Sequence, residues 1–356
     1  MPDARLYIEE QIAPGLALER AAAMTRALDV ACPVGMYGAT LRGEAWVLGA
    51  LQHAGQVLPD RELRAADASP VAVVRRGSGG IAVRGGQGVT YVALALRDRA
   101  TLMPCPRARI LNRNVRGALQ GLRQGGIVAH YFGRDFLSVD ARPAAYVGWA
   151  ARSDGRVVLE FFLCEASSCF LPEGELGYPT RKTDPFRGKE PWTLAQATGN
   201  VLSSGGRPEP ARGRALIECI AAGYRSGFGA AFEACAIPSS WETPELQRAL
   251  PLDPDASELH WSHPIEEAIG FVSAGVALDR AAKLARVRMC GDFFADDTCA
   301  VTLERMLIGV EPTTDHIARA VDAAYGQAGH DVEGVRDLRT FQTAILDAVA
   351  RARAVL

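Results

Sequence analysis

The stretch Val71-Ala-Val-Val-Arg-Arg-Gly-Ser-Gly-Gly-Ile-Ala-Val83 sets two arginines and three glycines between two apolar, β-branched runs. Val71 to Val74 reads as a buried strand, and the runs around Val83 and from Val89 to Leu96 read as others, because short apolar segments bounded by turn residues suit strands. Between them Gly77, Gly79 and Gly80 let backbone N–H groups approach a ligand with no Cβ in the way. Bent amides beside guanidinium groups suit an anion, since arginine offers phosphate or carboxylate a planar fork of donors. A glycine-rich turn between strands is equally consistent with a plain hairpin. Arg75 and Arg76 are adjacent, so in a continued strand they point to opposite faces; one can face a ligand while the other makes a structural contact.

Working outward, Pro14-Gly15 opens a helical pattern carried by Leu18, Ala21, Ala22, Met24 and Leu28, after a short extended start. Two short strands are expected around Met36 to Tyr37 and Ala45 to Leu48, with Gln52 and His53 just past the second, where a side chain can enter a cleft. Downstream, Leu111, Val115, Leu119 and Leu122 mark a surface helix. Four strands then follow at Ile127 to Tyr131, Phe136 to Val139, Ala145 to Ala150 and Val157 to Cys164, with turns at Gly133, Arg142-Pro143 and Asp154-Gly155. The pattern is a mixed α/β unit built on a sheet.

Pro172 to Pro191 is a long polar loop whose Arg181, Lys182, Arg187 and Lys189 form a solvated face or close over an anionic substrate. A helix is expected over Leu216 to Phe232. From Ala236 to Pro264 the composition shifts to Pro, Ser, Glu and Asp, which suggests a linker. Beyond it, strands at Ala268 to Leu278 and Leu284 to Met289 and helices at Thr314 to Tyr325 and Leu338 to Arg351 make a small α/β appendage. The expected division is 1–245, a linker at 246–264, and 265–356.

A formal net charge of −2 over 356 residues is too balanced for wholesale binding to nucleic acid. No run of about 20 apolar residues suggests a membrane span, and Met1-Pro-Asp-Ala-Arg-Leu lacks the order of a signal peptide, so a cytoplasmic location is expected. The eight cysteines are scattered without Cys-x-x-Cys pairs, and His260-x-x-His263 falls in the linker, so no metal site is expected. Trp149 reads as core.

The order of motifs resembles the lipoate-protein ligase family, within the group of biotin and lipoate ligases and octanoyl transferases. The resemblance rests on Tyr37 with Leu48-Gly49-Ala50-Leu51-Gln52, similar to Leu-Gly-x-x-Gln, and on Arg75-Arg76-Gly77-Ser78-Gly79-Gly80-Ile81-Ala82-Val83, similar to Arg-Arg-x-Ser-Gly-Gly-Gly-Ala-Val. Gly133-Arg134-Asp135-Phe136 falls where the family has Gly-Arg-Asn-Asp, and Cys290-Gly-Asp-Phe-Phe294 resembles the Gly-Asp-Phe-Phe of an accessory domain. The implied fold is a mixed-sheet catalytic domain with a small α/β C-terminal accessory domain. The implied reaction uses ATP and Mg2+: lipoate or octanoate attacks the α-phosphate, and the acyl-adenylate passes to a lysine of a lipoyl-domain or other carrier protein. The implied substrate-binding residues are Tyr37, Gln52, Arg75, Arg76, Ser78, Gly79, Gly80, Ile81 and Gly85, with Asp135 and Arg142 at catalytic positions.

Three departures accompany the match. Ile81 replaces the third glycine, Gly85 stands at the place of a histidine, and the family's strand lysine has no counterpart between Met1 and Lys182. Arg142 supplies a charge nearby, though a guanidinium is no substitute for a compact ammonium. Two further functions stay open: a ligase scaffold that has lost catalysis and binds an acyl ligand, nucleotide or protein partner, and ATP-independent acyl transfer through Cys169 as nucleophile, which would need nearby positive charge or a base.

Overall fold

The computed structural model describes residues 3–58, 71–106, 109–171, 190–196, 210–241, 258–296, 298–326 and 332–355. The polar loop expected at 172–191, including Arg181, Lys182, Arg187 and Lys189, lies almost wholly outside the described residues, as does most of the expected linker.

The chain opens with β1 (Asp3–Ile12), much longer than the short start expected, and α1 (Pro14–Arg26), whose proline sits in the first turn where its missing N–H is no loss. Next come β2 (Val34–Leu41), β3 (Glu44–Leu48), the one-turn α2 (Ala54–Val57), β4 (Ala72–Arg75), β5 (Val83–Gly86) and β6 (Val89–Leu96). After α3 (Ile110–Gln124) follow β7 (His130–Tyr131), β8 (Phe136–Val139), β9 (Arg142–Ala151) and β10 (Val157–Cys164), then α4 (Gly213–Phe228) and β11 (Ala231–Ala234). The helix expected to reach Phe232 stops at Phe228, because Gly229 adopts φ 71° and turns the chain into β11.

Eight of these strands form one mixed sheet in the order β11-β1-β2-β6-β10-β9-β8-β7. Its β11–β1 and β1–β2 pairs are parallel; the others are antiparallel. Every residue of the central β6 and β10 is buried, which is why both read as apolar runs interrupted only by Thr90 and Glu160. The period of two reappears as a division of faces. Val92, Leu94, Leu159 and Phe161 pack on one side with α3 and α4, whereas Tyr91, Ala93, Val158 and Phe162 pack on the other with α1. A Cβ on Gly121 would run into the backbone of Cys219 and Ile220, so α3 and α4 cross with backbones in contact.

The turn expected at Arg142-Pro143 falls earlier. Asp140 and Ala141 take φ of 49° and 58°, and Arg142 already pairs with Val139 as the first residue of β9. Pro143 is accommodated beside a register shift between Leu137 and Ser138.

Strands β4, β3 and β5 form a separate small sheet in that order. The strands expected to make a hairpin therefore do not pair with each other: β4 runs parallel to β3 and β5 antiparallel to it. The arginine-glycine segment is a crossover that steps over the end of β3, where Leu48-Gly49 begins.

In the C-terminal part, β14 (Phe271–Leu278) pairs with β12 (His260–Trp261), β13 (Ile265–Glu266) and β15 (Leu284–Gly291). His260 and Trp261, read as linker, are thus part of this sheet. β16 (Phe294–Ala295) pairs with β17 (Val332–Glu333). Three helices, α5 (Cys299–Leu307), α6 (Thr314–Tyr325) and α7 (Arg339–Arg353), bury Leu303, Ile317, Val321, Phe341, Ile345 and Val349 against Val272, Ala274, Val276 and Val287. The expected helices at 314 and 338 are both present, and α5 adds a third.

Candidate functional site

The crossover places Arg75, Arg76 and Ser78 to Ile81 against the Gly49–Gln52 turn. Arg76 N–H donates to Leu48 O (3.0 Å), Ala50 N–H donates to Ser78 O (2.8 Å), and a Cβ on Gly49 would strike the Gly80 carbonyl. The two motifs quoted from the sequence are one structural unit: a glycine on each side lets the two backbones touch.

Both arginines expected to bind substrate are engaged by the fold, Arg76 most completely. Arg76 is 2 % exposed. Its Nε donates to Ser78 Oγ (3.1 Å), Nη1 to Val47 O (3.2 Å), and Nη2 to Gly79 O (2.6 Å), Ile81 O (2.6 Å) and the Tyr146 hydroxyl (2.7 Å). The guanidinium also lies 4.2 Å from the centre of the Tyr146 ring, and the Tyr146 hydroxyl donates to Gly79 O (2.5 Å). Arg75 is half-buried and donates to the carbonyls of Gly49 and Gln52.

The amides are engaged as well. Ser78 N–H donates to Glu160 Oε2 at 2.6 Å, and Glu160 Oε1 accepts from the Tyr91 hydroxyl at 2.6 Å. Glu160 stands on β10 at 3 % exposure, on the face shared by Val158 and Phe162. Its carboxylate therefore sits where the loop would present a donor to a ligand anion. Gly80 N–H donates to Phe293 O (3.3 Å), and a Cβ on Gly79 would collide with that carbonyl. Burial pushes the Tyr91 and Tyr146 hydroxyls above their ordinary range; Glu160 adds to this for Tyr91, while Arg76 pulls both back.

Beneath the loop, Tyr37, Tyr91, Tyr146 and Phe162 fill the space between the two sheets, with ring centres of Tyr91 and Phe162 5.0 Å apart and of Tyr146 and Phe162 6.1 Å apart. Tyr37 is fully buried and its hydroxyl donates to Glu9 Oε2 (2.7 Å), so burial and that carboxylate both raise its pKa. Gln52 Oε1 accepts from Gly49 N–H (2.7 Å) and its Nε2 donates to Asp292 Oδ1 (2.5 Å); Asp292 Oδ2 accepts from Phe271 N–H (3.0 Å). The Leu-Gly-x-x-Gln turn is thereby tied to the Gly-Asp-Phe-Phe segment.

The remaining expected residues lie as follows. Asp135 is buried just before β8, and its carbonyl accepts from Val147 N–H (2.8 Å). Arg142 is half-buried with its guanidinium 4.9 Å from the Trp192 ring centre. Gly85 is an interior residue of β5, paired with Ala45 and close under Pro14. Ile81 is half-buried and contributes its carbonyl to Arg76. Cys169 is fully buried 3.3 Å from the Cys164 sulfur, and burial, then Cys164, push its thiol well above the usual range, the opposite of what a nucleophile needs. Trp149 is core as expected, with its Nε1–H on Glu333 (2.7 Å). Glu160, Tyr91 and Tyr146 were missed. Glu160 had a signal: a lone carboxylate in the apolar run Val157 to Cys164 has to find donors.

In this arrangement the Arg76 guanidinium and the Ser78 and Gly80 amides, three of the donors that would cradle a triphosphate, are engaged within the chain, which does not fit that group. Among the described residues no group of three His, Cys, Asp or Glu side chains is assembled that could hold a metal ion.

The fold is similar to that of solved lipoate protein ligases. The structure of P. falciparum LipL1 in complex with lipoate is similar with a TM-score of 0.67 and 12% identity, covering 96% of this chain and 99% of that one. A bi-partite lipoate protein ligase with its E2 lipoyl domain from Thermoplasma acidophilum gives 0.50 and 13%, covering 68% and 89%; a lipoate-protein ligase A bound with ATP gives 0.50 and 11%, covering 67% and 91%. At such identities the likeness is one of fold. No family model and no curated protein matches the sequence.

Proposed function

We propose that this chain uses the lipoate ligase scaffold as a binding protein, with activation of an acid by ATP shut off. The observation that carries this reading is the Glu160 carboxylate seated on the Ser78 amide. For a phosphate or an acid to take that donor, Glu160 must surrender its charge-assisted hydrogen bond from Ser78 while staying buried on the Tyr91 hydroxyl, at about 1.5–3 kcal/mol. That penalty weakens binding by about one to two powers of ten. Arg76 would in addition have to abandon three backbone carbonyls. No lysine precedes Lys182, so the strands around the loop offer no ammonium to steady a developing phosphoryl charge. The ligands in keeping with the scaffold are a lipoyl-type acyl group or a lipoyl-domain carrier protein.

One observation favours a second reading, an ATP-dependent ligase for lipoate or octanoate. The cover over Gly79 and Gly80 comes from Asp292 to Phe294, a segment remote in sequence, so its displacement would free the Gly80 amide without rebuilding the crossover itself. In that case the acid attacks the α-phosphate, pyrophosphate departs, and a carrier lysine takes the acyl group from the adenylate. Pyrophosphate release measured with lipoate, octanoate and biotin separates the two. A flat response to all three, with calorimetric binding of one acid or of a lipoyl domain, is expected; acid-dependent release with acylation of a carrier lysine establishes the ligase.

A further inference from the structure

Cys164 ends β10 and Cys169 follows after a four-residue excursion, and the two sulfurs come to 3.3 Å inside the core, both fully buried. The contact is held from several sides. Cys169 N–H donates to Cys164 Sγ (3.2 Å) and Cys169 Sγ donates to Phe162 O (3.4 Å). Cys169 O accepts from Arg84 N–H of β5 (2.7 Å), and Phe170 bridges to Val83. Within the excursion Glu165 accepts from Gly213 N–H at the start of α4 (2.7 Å) and from the Thr90 hydroxyl. Ala166 and Ser167, by contrast, are exposed, so the loop that links the thiols is at the surface although the thiols are not.

We infer that Cys164 and Cys169 are a redox modification site, closing into a reversible intramolecular disulfide by exchange with a low-molecular-weight disulfide such as oxidised glutathione. A disulfide bond is about 2.05 Å long, so the sulfurs, now 3.3 Å apart, have roughly 1.3 Å to close. The step needs the Ala166–Ser167 loop to lift, breaking the hydrogen bonds from the Ala166 and Ser167 N–H groups to Gly88 O (2.8 and 3.2 Å), which lets in water and reagent and removes the burial that holds the Cys169 thiol protonated. In that opened state one cysteine gives its proton to solvent and, as thiolate, attacks a glutathione sulfur, forming a mixed disulfide and expelling one glutathione thiolate. The second cysteine thiolate attacks the protein sulfur of that mixed disulfide and expels the second glutathione. The protein loses two hydrogens and two electrons, and one oxidised glutathione becomes two reduced molecules. The product pins Phe170, and through it the Val83 end of β5, to the central strand. This inference is independent of whether the neighbouring loop activates an acid.

The test equilibrates the full chain in native glutathione buffers from fully reduced to fully oxidised, alkylates remaining thiols, and follows the tryptic peptide from Val157 to Arg181, which carries both cysteines. In oxidising buffer the peptide is expected to lose two hydrogens and take no alkyl group, to regain both thiols on reduction, and to accompany an upward shift in Tm. Cys164→Ala and Cys169→Ala, which keep the packing apolar, each abolish the shift; Cys105→Ser leaves it. A peptide alkylated at both cysteines in the most oxidising buffer, one carrying glutathione adducts, or a bridge that forms only after unfolding in urea overturns the inference. The wild-type peptide gives the answer even if a variant fails to fold.

Discussion

Replacing Arg76 by methionine fills most of the same volume and removes every donor. The side chain serves three carbonyls, of Val47, Gly79 and Ile81, and two hydroxyls, of Ser78 and Tyr146. The hydroxyls can turn, and Tyr146 already donates to Gly79 O, but the carbonyls of a packed crossover cannot. Each buried acceptor left without its donor costs about 1–3 kcal/mol, with values toward the low end where a second partner remains. Summed over the three carbonyls, with Gly79 O keeping the Tyr146 hydroxyl, Arg76→Met is expected to cost about 3–5 kcal/mol. Arg76→Lys, with three donors in place of five, should fall between it and the wild type. Arg75→Met, half-exposed and bonded to two carbonyls, should cost about 1 kcal/mol. Urea unfolding followed by tryptophan fluorescence measures all three. An Arg76→Met protein within about 1 kcal/mol of wild type would refute the reasoning and return Arg76 to the role of a ligand-facing clamp.

Further expectations follow from the same contacts. Gly79→Ala drives a methyl group toward the Phe293 carbonyl, so it should cost about 1–3 kcal/mol and speed limited proteolysis between the crossover-bearing part and the C-terminal sheet. Gln52→Leu removes a donor to the buried Asp292 carboxylate, and thermal unfolding should show a loss of about 1.5–3 kcal/mol. Burial raises the Glu19 carboxyl from 4.5 to about 7, only partly offset by Arg20. The folded state thus holds that proton more tightly than the unfolded chain, and stability declines as pH rises from about 4.5 through 7. Glu19→Gln should flatten the Tm profile across that window, and a profile identical to wild type would contradict the shift.

The sheet was legible where a strand is buried on both faces, since β6 and β10 are apolar runs apart from Thr90 and Glu160, and α1, α3, α6 and α7 were legible from their 3.6-residue stripes. β1 and β11 were not, because their half-exposed ends carry Glu9, Glu10 and Glu233, which break the apolar pattern. Two adjacent strands suggested a hairpin; that each pairs with β3 instead is a choice of partner that local sequence does not carry. The site divided along the same line. The meeting of Gly49 with Gly80 could be anticipated from glycines at both motifs. The partner of Ser78 stands 82 residues away and that of Gln52 240 residues away, and pairings of that range leave no periodicity behind. The contest for Arg76 was likewise decided by tertiary packing, as Tyr146 rises from a strand that reads only as apolar.

The Arg76 guanidinium and the Ser78 and Gly80 amides of the crossover are held by the chain's own groups. Titration of the amide-labelled protein with Mg2+-ATP, lipoate and octanoate, read at the Ser78 and Gly80 N–H resonances, tests this most directly. The account predicts that both resonances stay in place through millimolar ligand in the wild type, and that the Ser78 resonance becomes responsive to small carboxylates once Glu160→Ala vacates its partner. Saturable movement of Ser78 and Gly80 in the unaltered protein would contradict it.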